Sequence, residues 1–230
     1  MNPRSATLTL WPLPLAVALV PVFAAHLAYA LSIEAGHVPA CVPYFEGCTS
    51  ISRAARHGLG NHLFRLLMLP SALLLALHWL ATIVWLRQST GEARAGRSLW
   101  LLAPFAGLAL AVYVTFLGTE GEVYRFLRRY GAQLYFASVY LAQLVVVRHW
   151  HRRLGRWDAV GAVWLAISLV MLALGLGYTA VANGFDDPEL KDRMENLLEW
   201  HIAALMTAWY LLLAWVWRRE GFALGLSLRR

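Results

Sequence analysis

The chain has 230 residues, of which 60% are hydrophobic and only 14% are charged, and its formal net charge is +7. A soluble globular domain carries about 25% charged residues, so this composition excludes an ordinary soluble protein and predicts a membrane protein. The excess of basic residues does not require a nucleic-acid partner, because basic residues at the cytoplasmic end of a membrane protein contact anionic lipid headgroups.

Six apolar stretches are long enough to cross a bilayer, since a spanning helix needs about 20 apolar residues. They lie at residues 9–31, 62–86, 98–118, 131–148, 159–182 and 196–217. The first stretch exceeds the apolar core of roughly 7–15 residues in a signal peptide, which favours a retained span over a cleaved leader. The sequence therefore predicts an all-α fold, a six-transmembrane-helix bundle that forms one integral membrane domain over residues 1–230.

The loop charges predict the orientation of this bundle. The termini and the loops on their side, with Arg148 at the border, hold 12 basic and 3 acidic residues. The opposite loops, with Arg65 and Glu199 just inside the spans, hold 8 and 10. Because positively charged loops stay in the cytoplasm, both termini are predicted to be cytoplasmic. Arg supplies 19 of the 20 basic residues, which is typical of a GC-rich bacterial genome and indicates a bacterial inner (plasma) membrane.

The two cysteines of the chain, Cys41 and Cys48, lie in the first outward loop. An oxidising outer compartment favours a disulfide between them. Free thiols and a metal-binding pair are the alternatives, but no second cysteine pair accompanies them. A disulfide is therefore the favoured interpretation, and neither a metal nor another cofactor is predicted.

The polar stretch TSISRAARHGLGNHLFRLL follows the cysteines. Ser50 and Ser52 fit a turn or helix cap, or alternatively hydroxyls that face a lipid headgroup. Asn61 is predicted to cap a helix that begins at His62. Arg65 lies one turn inside the second span, where a charge needs a partner.

Acidic residues and arginines lie close together in the second outward loop. Glu122 and Arg125 are three residues apart and are predicted to pair along a helix start. The loop fits a solvated interfacial rim, or alternatively an anion site in which Arg125 and Arg128 clamp a lipid phosphate.

The third outward loop is acidic. Asp186 and Asp187 precede Pro188, which predicts the start of a short interfacial helix. Glu199 follows where the last span begins to be buried and therefore needs a partner. We expect that partner to be Arg65, which lies at a similar depth on the second span.

Short motifs in these segments resemble a known family. They are Ser50-Ile51-Ser52, the following Gly58 or Gly60, Leu63-Phe64, Tyr130-Gly131-Ala132 and Glu199-Trp200. With six spans and cytoplasmic ends, the chain resembles a bacterial-type member of the FRAG/DRAM/SFK family, which includes the GPI-anchor lipid-remodelling factor and the damage-regulated autophagy modulators. The resemblance implies membrane-lipid remodelling or lipid organisation.

The leading hypothesis is a lipid-handling membrane protein with a polar site at headgroup level on its outward face. The predicted headgroup-binding residues are Ser50, Ser52, Arg65, Glu122, Arg125, Glu199 and His201. The Pro-rich first span is expected to line an acyl groove. Whether a reaction is catalysed stays open: an enzyme would use His57 or His62 as general base, but no hydrolase motif accompanies them.

Two other functions fit the sequence. A b-type haem protein would ligate its haem with histidine pairs on facing helices. The histidines on spans or their ends are His26, His62, His78, His149 and His201. A non-catalytic scaffold would bind another membrane protein or a second copy of the chain, and Gly161, Gly175 and Gly177 would support close helix packing there.

Overall fold

The computed structural model describes residues 6–184 and 187–226, and this part of the chain is mainly helical. Its helices are α1 (Pro12–Glu34), α2 (Pro43–Glu46), α3 (Ile51–Ala54), α4 (Gly58–Thr90), α5 (Leu99–Thr115), α6 (Glu122–Leu154), α7 (Ala159–Gly184) and α8 (Pro188–Glu220). Two short strands, β1 (Ala6–Thr9) and β2 (Ala223–Leu226), flank the helical region. The predicted helical fold is confirmed, whereas the strands were not predicted.

Five of the described helices are long and apolar enough to cross a membrane, namely α1, α4, α6, α7 and α8. This finding is compatible with an integral membrane protein. The helix α5 is apolar but has 17 residues. At 1.5 Å a residue it is about 26 Å long, slightly short of a hydrocarbon core of about 30 Å.

The two strands pair antiparallel, with Thr9 opposite Ala223. The Leu10 amide extends the pairing and donates to the Phe222 carbonyl at 3.0 Å. This ribbon joins the chain just before α1 to the chain just after α8. The start of α1 and the end of α8 therefore lie at the same end of the bundle.

The start of α8 combines two helix signals. Pro188 is its first residue, and the Asp187 carboxylate caps it by accepting the Glu189 amide at 2.9 Å. The predicted helix start is confirmed, although Asp186 lies outside the described residues. The helix is not a short interfacial one, because it continues without a break to Glu220.

Aromatic side chains fill the contact between α4 and α8. Trp79 and Trp209 are fully buried, with ring centroids 6.0 Å apart. The His78 ring lies 5.2 Å from the Tyr210 ring and 5.4 Å from the Trp217 ring. This histidine, a candidate haem ligand in the sequence, is thus surrounded by aromatic rings.

The helices α5 and α6 approach each other closely at a glycine. A methyl group on Gly131 would lie 2.9 Å from the Tyr113 amide nitrogen, which is too short for a carbon atom. Glycine therefore sets the position of Tyr113 relative to α6. By contrast, a methyl group on Gly175 or Gly177 of α7 would meet nothing within 4 Å, so these two glycines do not mediate close packing within the described chain.

Candidate functional site

The disulfide predicted from the sequence joins Cys41 to Cys48, whose Cα atoms are 6.6 Å apart. Tyr29 attaches the intervening loop to α1, because its hydroxyl donates to the Cys41 carbonyl at 2.7 Å and accepts from the Cys41 amide at 3.0 Å. On the other side, the Asn196 side chain of α8 donates to the Gly47 carbonyl at 2.8 Å. The disulfide loop is therefore held between α1 and α8.

Opening this disulfide is expected to destabilise the protein by about 2.5 kcal/mol, because the short ring restricts the unfolded chain. Thermal unfolding in detergent should show a midpoint about 5–10 °C lower after addition of a reductant. The double variant Cys41→Ser/Cys48→Ser should unfold at that lower temperature with or without reductant. A further decrease on reducing the double variant would contradict this account.

The single turn α3 follows the loop and points its first amides at α8. The Ser50 hydroxyl caps the turn by accepting the Arg53 amide at 3.1 Å, and it lies 3.1 Å from the Ser52 hydroxyl. The Ser52 amide donates to the Glu199 carboxylate at 3.1 Å. The interpretation of Ser50 as a helix cap is confirmed, and Glu199 satisfies an amide that the turn itself leaves free.

The predicted ion pair between Arg65 and Glu199 is wrong, because the carboxylate turns toward α3. Among the described residues, Arg53 of α3 instead forms an ion pair with Asp192 of α8, a bidentate contact with N–O distances of 2.5 and 3.0 Å. The hydrogen bond to Asp192 raises the pKa of the Arg53 guanidinium. The depth expected from the position of each residue along its span did not show that Glu199 faces α3 rather than α4.

The start of α4 also differs from the prediction. The helix begins at Gly58 rather than at His62, so Asn61 lies inside its first turn. The buried Asn61 side chain donates to the Ala55 carbonyl at 2.8 Å and to the Leu117 carbonyl at 3.0 Å. It therefore ties the end of α3 to the end of α5 instead of capping α4.

A polar cleft opens next to this contact, with a volume of about 520 Å³. On α6, the cleft is lined by Arg125, Arg128 and Arg129. On the facing side, it is lined by Ser52, Glu195 and Glu199. Three predicted headgroup residues, Ser52, Arg125 and Glu199, are thus brought together here.

Arg56 brings further positive charge close to this cleft. Burial is the main cause that lowers the pKa of its guanidinium, and repulsion by Arg128 and Arg53 lowers it further. The Arg56 Nε atom is buried without a hydrogen-bond partner among the described residues. Because these positive charges repel one another, an anion bound between them would be favourable.

An apolar cavity of about 90 Å³ adjoins the polar cleft. Pro21 of α1 and Ala203 of α8 are among its lining residues. The cavity and the cleft share Tyr113, Phe136 and Glu199 as lining residues. A carboxylate and a phenol therefore lie where an apolar space meets a polar one, and the first span lines the apolar space.

Sequence analysis missed an aromatic group that lines the apolar cavity. The Trp200 ring lies 5.3 Å from the ring of His26 and 5.1 Å from that of Tyr44. The Trp200 indole is fully buried and donates to the Thr49 carbonyl at 2.9 Å. Burial raises the pKa of the Tyr44 phenol. The Glu199-Trp200 motif was the signal available for this group, since both residues line the cavity.

Several predicted headgroup residues lie outside both spaces. Glu122 is the exposed first residue of α6, and no ion pair joins it to Arg125 among the described residues. Arg65 is half-buried on α4 and lines neither space. His201 is exposed, and its Nδ1 atom lies 2.8 Å from the Leu197 carbonyl of its own helix.

The two general-base candidates, His57 and His62, are exposed side chains at the start of α4. The His57 ring lies 5.4 Å from the ring of His37, and neither candidate lines the cleft or the cavity. Their catalytic role stays a prediction. Among the carboxylates of the described residues, Glu199 lines both spaces.

The site therefore joins a space lined by charged side chains to an apolar one near one end of the bundle. Arginines give the cleft most of its charge, whereas aliphatic and aromatic side chains line most of the cavity. The Glu199 carboxylate lies where the two spaces meet. An amphipathic ligand, with a charged group and an apolar chain, matches both spaces at once. Comparison of the chain with protein-family models, with curated proteins and with solved structures finds no match.

Proposed function

We propose that this protein binds and handles a membrane lipid, with the headgroup in the polar cleft and an acyl chain in the apolar cavity. The observation that carries this proposal is the wall that the two spaces share, formed by Tyr113, Phe136 and Glu199. Over a few bonds, a lipid changes from a polar headgroup to an apolar chain. The side chains that line the site change from charged to apolar across this wall.

The proposal includes six membrane spans with both termini in the cytoplasm of a bacterium. The ribbon of β1 and β2 supports an even number of crossings, because it places the start of α1 and the end of α8 together. The short helix α5 is then the sixth span. The excess of basic residues on the side of the termini orients the bundle and places the polar cleft on the outward face.

Membership of the FRAG/DRAM/SFK family is also part of the proposal. Two of the motifs that carry the resemblance, Ser50-Ile51-Ser52 and Glu199-Trp200, meet at the contact between the Ser52 amide and the Glu199 carboxylate. The Trp200 indole adds a second bond to the same segment through the Thr49 carbonyl. Their contact gives the short motifs a common structural role beside the proposed lipid site.

Filling the apolar cavity tests the proposed function. Ala203→Trp places an indole in the cavity and is expected to lower the amount of co-purified lipid about tenfold, a change of about 1.4 kcal/mol. Native mass spectrometry of the detergent-purified protein measures the retained lipid. Ala208→Trp is the matched control, because Ala208 is exposed on the same helix and does not line the cavity.

The control variant should retain as much lipid as the wild-type protein. Both variants should elute as single species, so that a loss of lipid is not a loss of fold. Equal lipid retention by Ala203→Trp and Ala208→Trp would place the acyl chain elsewhere. A wild-type protein that retains and binds no lipid would overturn the proposed function.

A further inference from the structure

We propose that the polar cleft selects a phosphate monoester, so that the ligand is a lipid that ends in a dianionic phosphate group. This inference rests on the proposed lipid-binding function, because it names the headgroup for the same cleft. It excludes phosphodiester lipids as the ligand. Their phosphate carries one negative charge and is esterified to a further headgroup, which is a neutral alcohol or bears a cationic amine.

The charges around the cleft carry the inference. The positive side chains that line or adjoin it are Arg56, Arg125, Arg128 and Arg129. Three of these arginines and two carboxylates, Glu195 and Glu199, line the cleft with a formal balance of +1, and the adjoining Arg56 raises this balance to +2. A phosphate monoester carries a charge of about −1.5 to −2 at pH 7, which matches this balance better than the single charge of a diester.

The neighbouring ion pair does not change this balance. Arg53 forms a bidentate pair with Asp192, so its charge is already neutralised within the protein. Arg56 lies close enough to Arg128 and Arg53 for their repulsion, after burial, to lower the pKa of its guanidinium. A doubly charged anion next to Arg56 and Arg128 would relieve this repulsion.

The geometry of the donors fits the same group. Arginine binds phosphate oxygens in a bidentate manner, and a terminal phosphate offers three such oxygens. Arg125, Arg128 and Arg129 lie within one turn of α6. The Ser52 hydroxyl lines the opposite side of the cleft and offers a further donor. A phosphodiester has only two free oxygens for these donors.

Binding of three lipids with identical dioleoyl chains tests the inference on the full-length protein in detergent. The lipids are phosphatidic acid, phosphatidylglycerol and phosphatidylcholine, and native mass spectrometry measures the bound fraction of each. Phosphatidic acid is expected to bind about tenfold more tightly than either diester. Arg125→Gln/Arg128→Gln should abolish that preference. The control Arg94→Gln/Arg97→Gln changes two exposed arginines beyond the other end of α4 and should keep the preference.

Each other outcome has its own meaning. Equal binding of phosphatidic acid and phosphatidylglycerol would overturn the monoester inference and leave the proposed lipid function intact. A lack of binding by all three lipids would overturn the proposed function itself. Inorganic phosphate is titrated separately, and binding of this ion as tight as that of phosphatidic acid would overturn a lipid as the source of the phosphate.

Discussion

Trp200→Ala is expected to lower the free energy of unfolding by about 3–5 kcal/mol, because it removes a large, fully buried side chain. The indole packs with the Tyr29 ring at a centroid distance of 5.9 Å and with the Tyr44 ring at 5.1 Å. These rings come from α1 and from the disulfide loop. The substitution therefore leaves a cavity where three segments of the chain meet.

Trp200→Phe separates ring packing from hydrogen bonding. Phenylalanine keeps an aromatic ring but cannot donate to the Thr49 carbonyl, which the indole now contacts at 2.9 Å. Thr49 is buried, so its carbonyl is left without this donor, at a cost of about 1–3 kcal/mol. Chemical unfolding in detergent, followed by circular dichroism, measures both variants.

Trp215→Ala is the matched control, since Trp215 is an exposed tryptophan on the same helix. Its ring stacks against the Arg219 guanidinium, and the loss of this contact should cost no more than about 1 kcal/mol. Equal losses for Trp200→Ala and Trp215→Ala would show that the contacts of Trp200 do not stabilise the packing of α8 against α1 and the disulfide loop.

The long helices could be predicted from the sequence because their apolar stretches are continuous. Their ends were less predictable. The sequence places the start of the second span at His62, since Gly58 and Gly60 suggest a break. In the structure Gly58 begins the helix with a left-handed backbone, and a methyl group on Gly60 would lie 3.1 Å from the Ala28 carbonyl of α1. Gly60 allows a close helix contact, which local sequence does not reveal.

The four-residue strands were missed for a related reason. Each is too short for a clear alternation of apolar and polar residues, and their pairing joins residues from opposite ends of the chain. The predicted first span began at residue 9 instead, which is the last residue of β1. The ribbon depends on tertiary structure that brings the two ends together.

Part of the site could be predicted because the polar residues of three loop segments were expected to lie at one end of the bundle. That reasoning selected Ser52, Arg125 and Glu199, which do line one cleft. It also selected His201, although this residue is exposed outside the site. The missing information is the rotation of each helix about its axis, which decides the side chains that face inward. Tyr113 was missed for this reason, because α5 is apolar on all sides and its sequence marks no functional face.

At about pH 9, where the carboxylate is ionised, Glu199→Gln is expected to tighten the binding of phosphatidic acid about fivefold, a gain of about 1 kcal/mol. The carboxylate lines the same cleft as three arginines and repels a bound phosphate. Two unit charges about 10 Å apart interact by about 1.7 kcal/mol at an effective dielectric constant of about 20, and salt reduces this value. Glutamine removes the charge but keeps a side-chain oxygen that accepts from the Ser52 amide, so the unfolding temperature should change little.

Glu199→Ala provides the contrast, because it removes both the charge and the acceptor. The Ser52 amide then loses its partner, which should destabilise the protein by about 1–3 kcal/mol and loosen the turn α3 beside the cleft. Lipid titration and thermal unfolding of both variants distinguish the two roles of the carboxylate. Weaker phosphatidic acid binding by Glu199→Gln, at an unchanged unfolding temperature, would mean that the carboxylate contacts the ligand directly. The carboxyl group would then bind the phosphate in its protonated form, which would contradict the proposed repulsion.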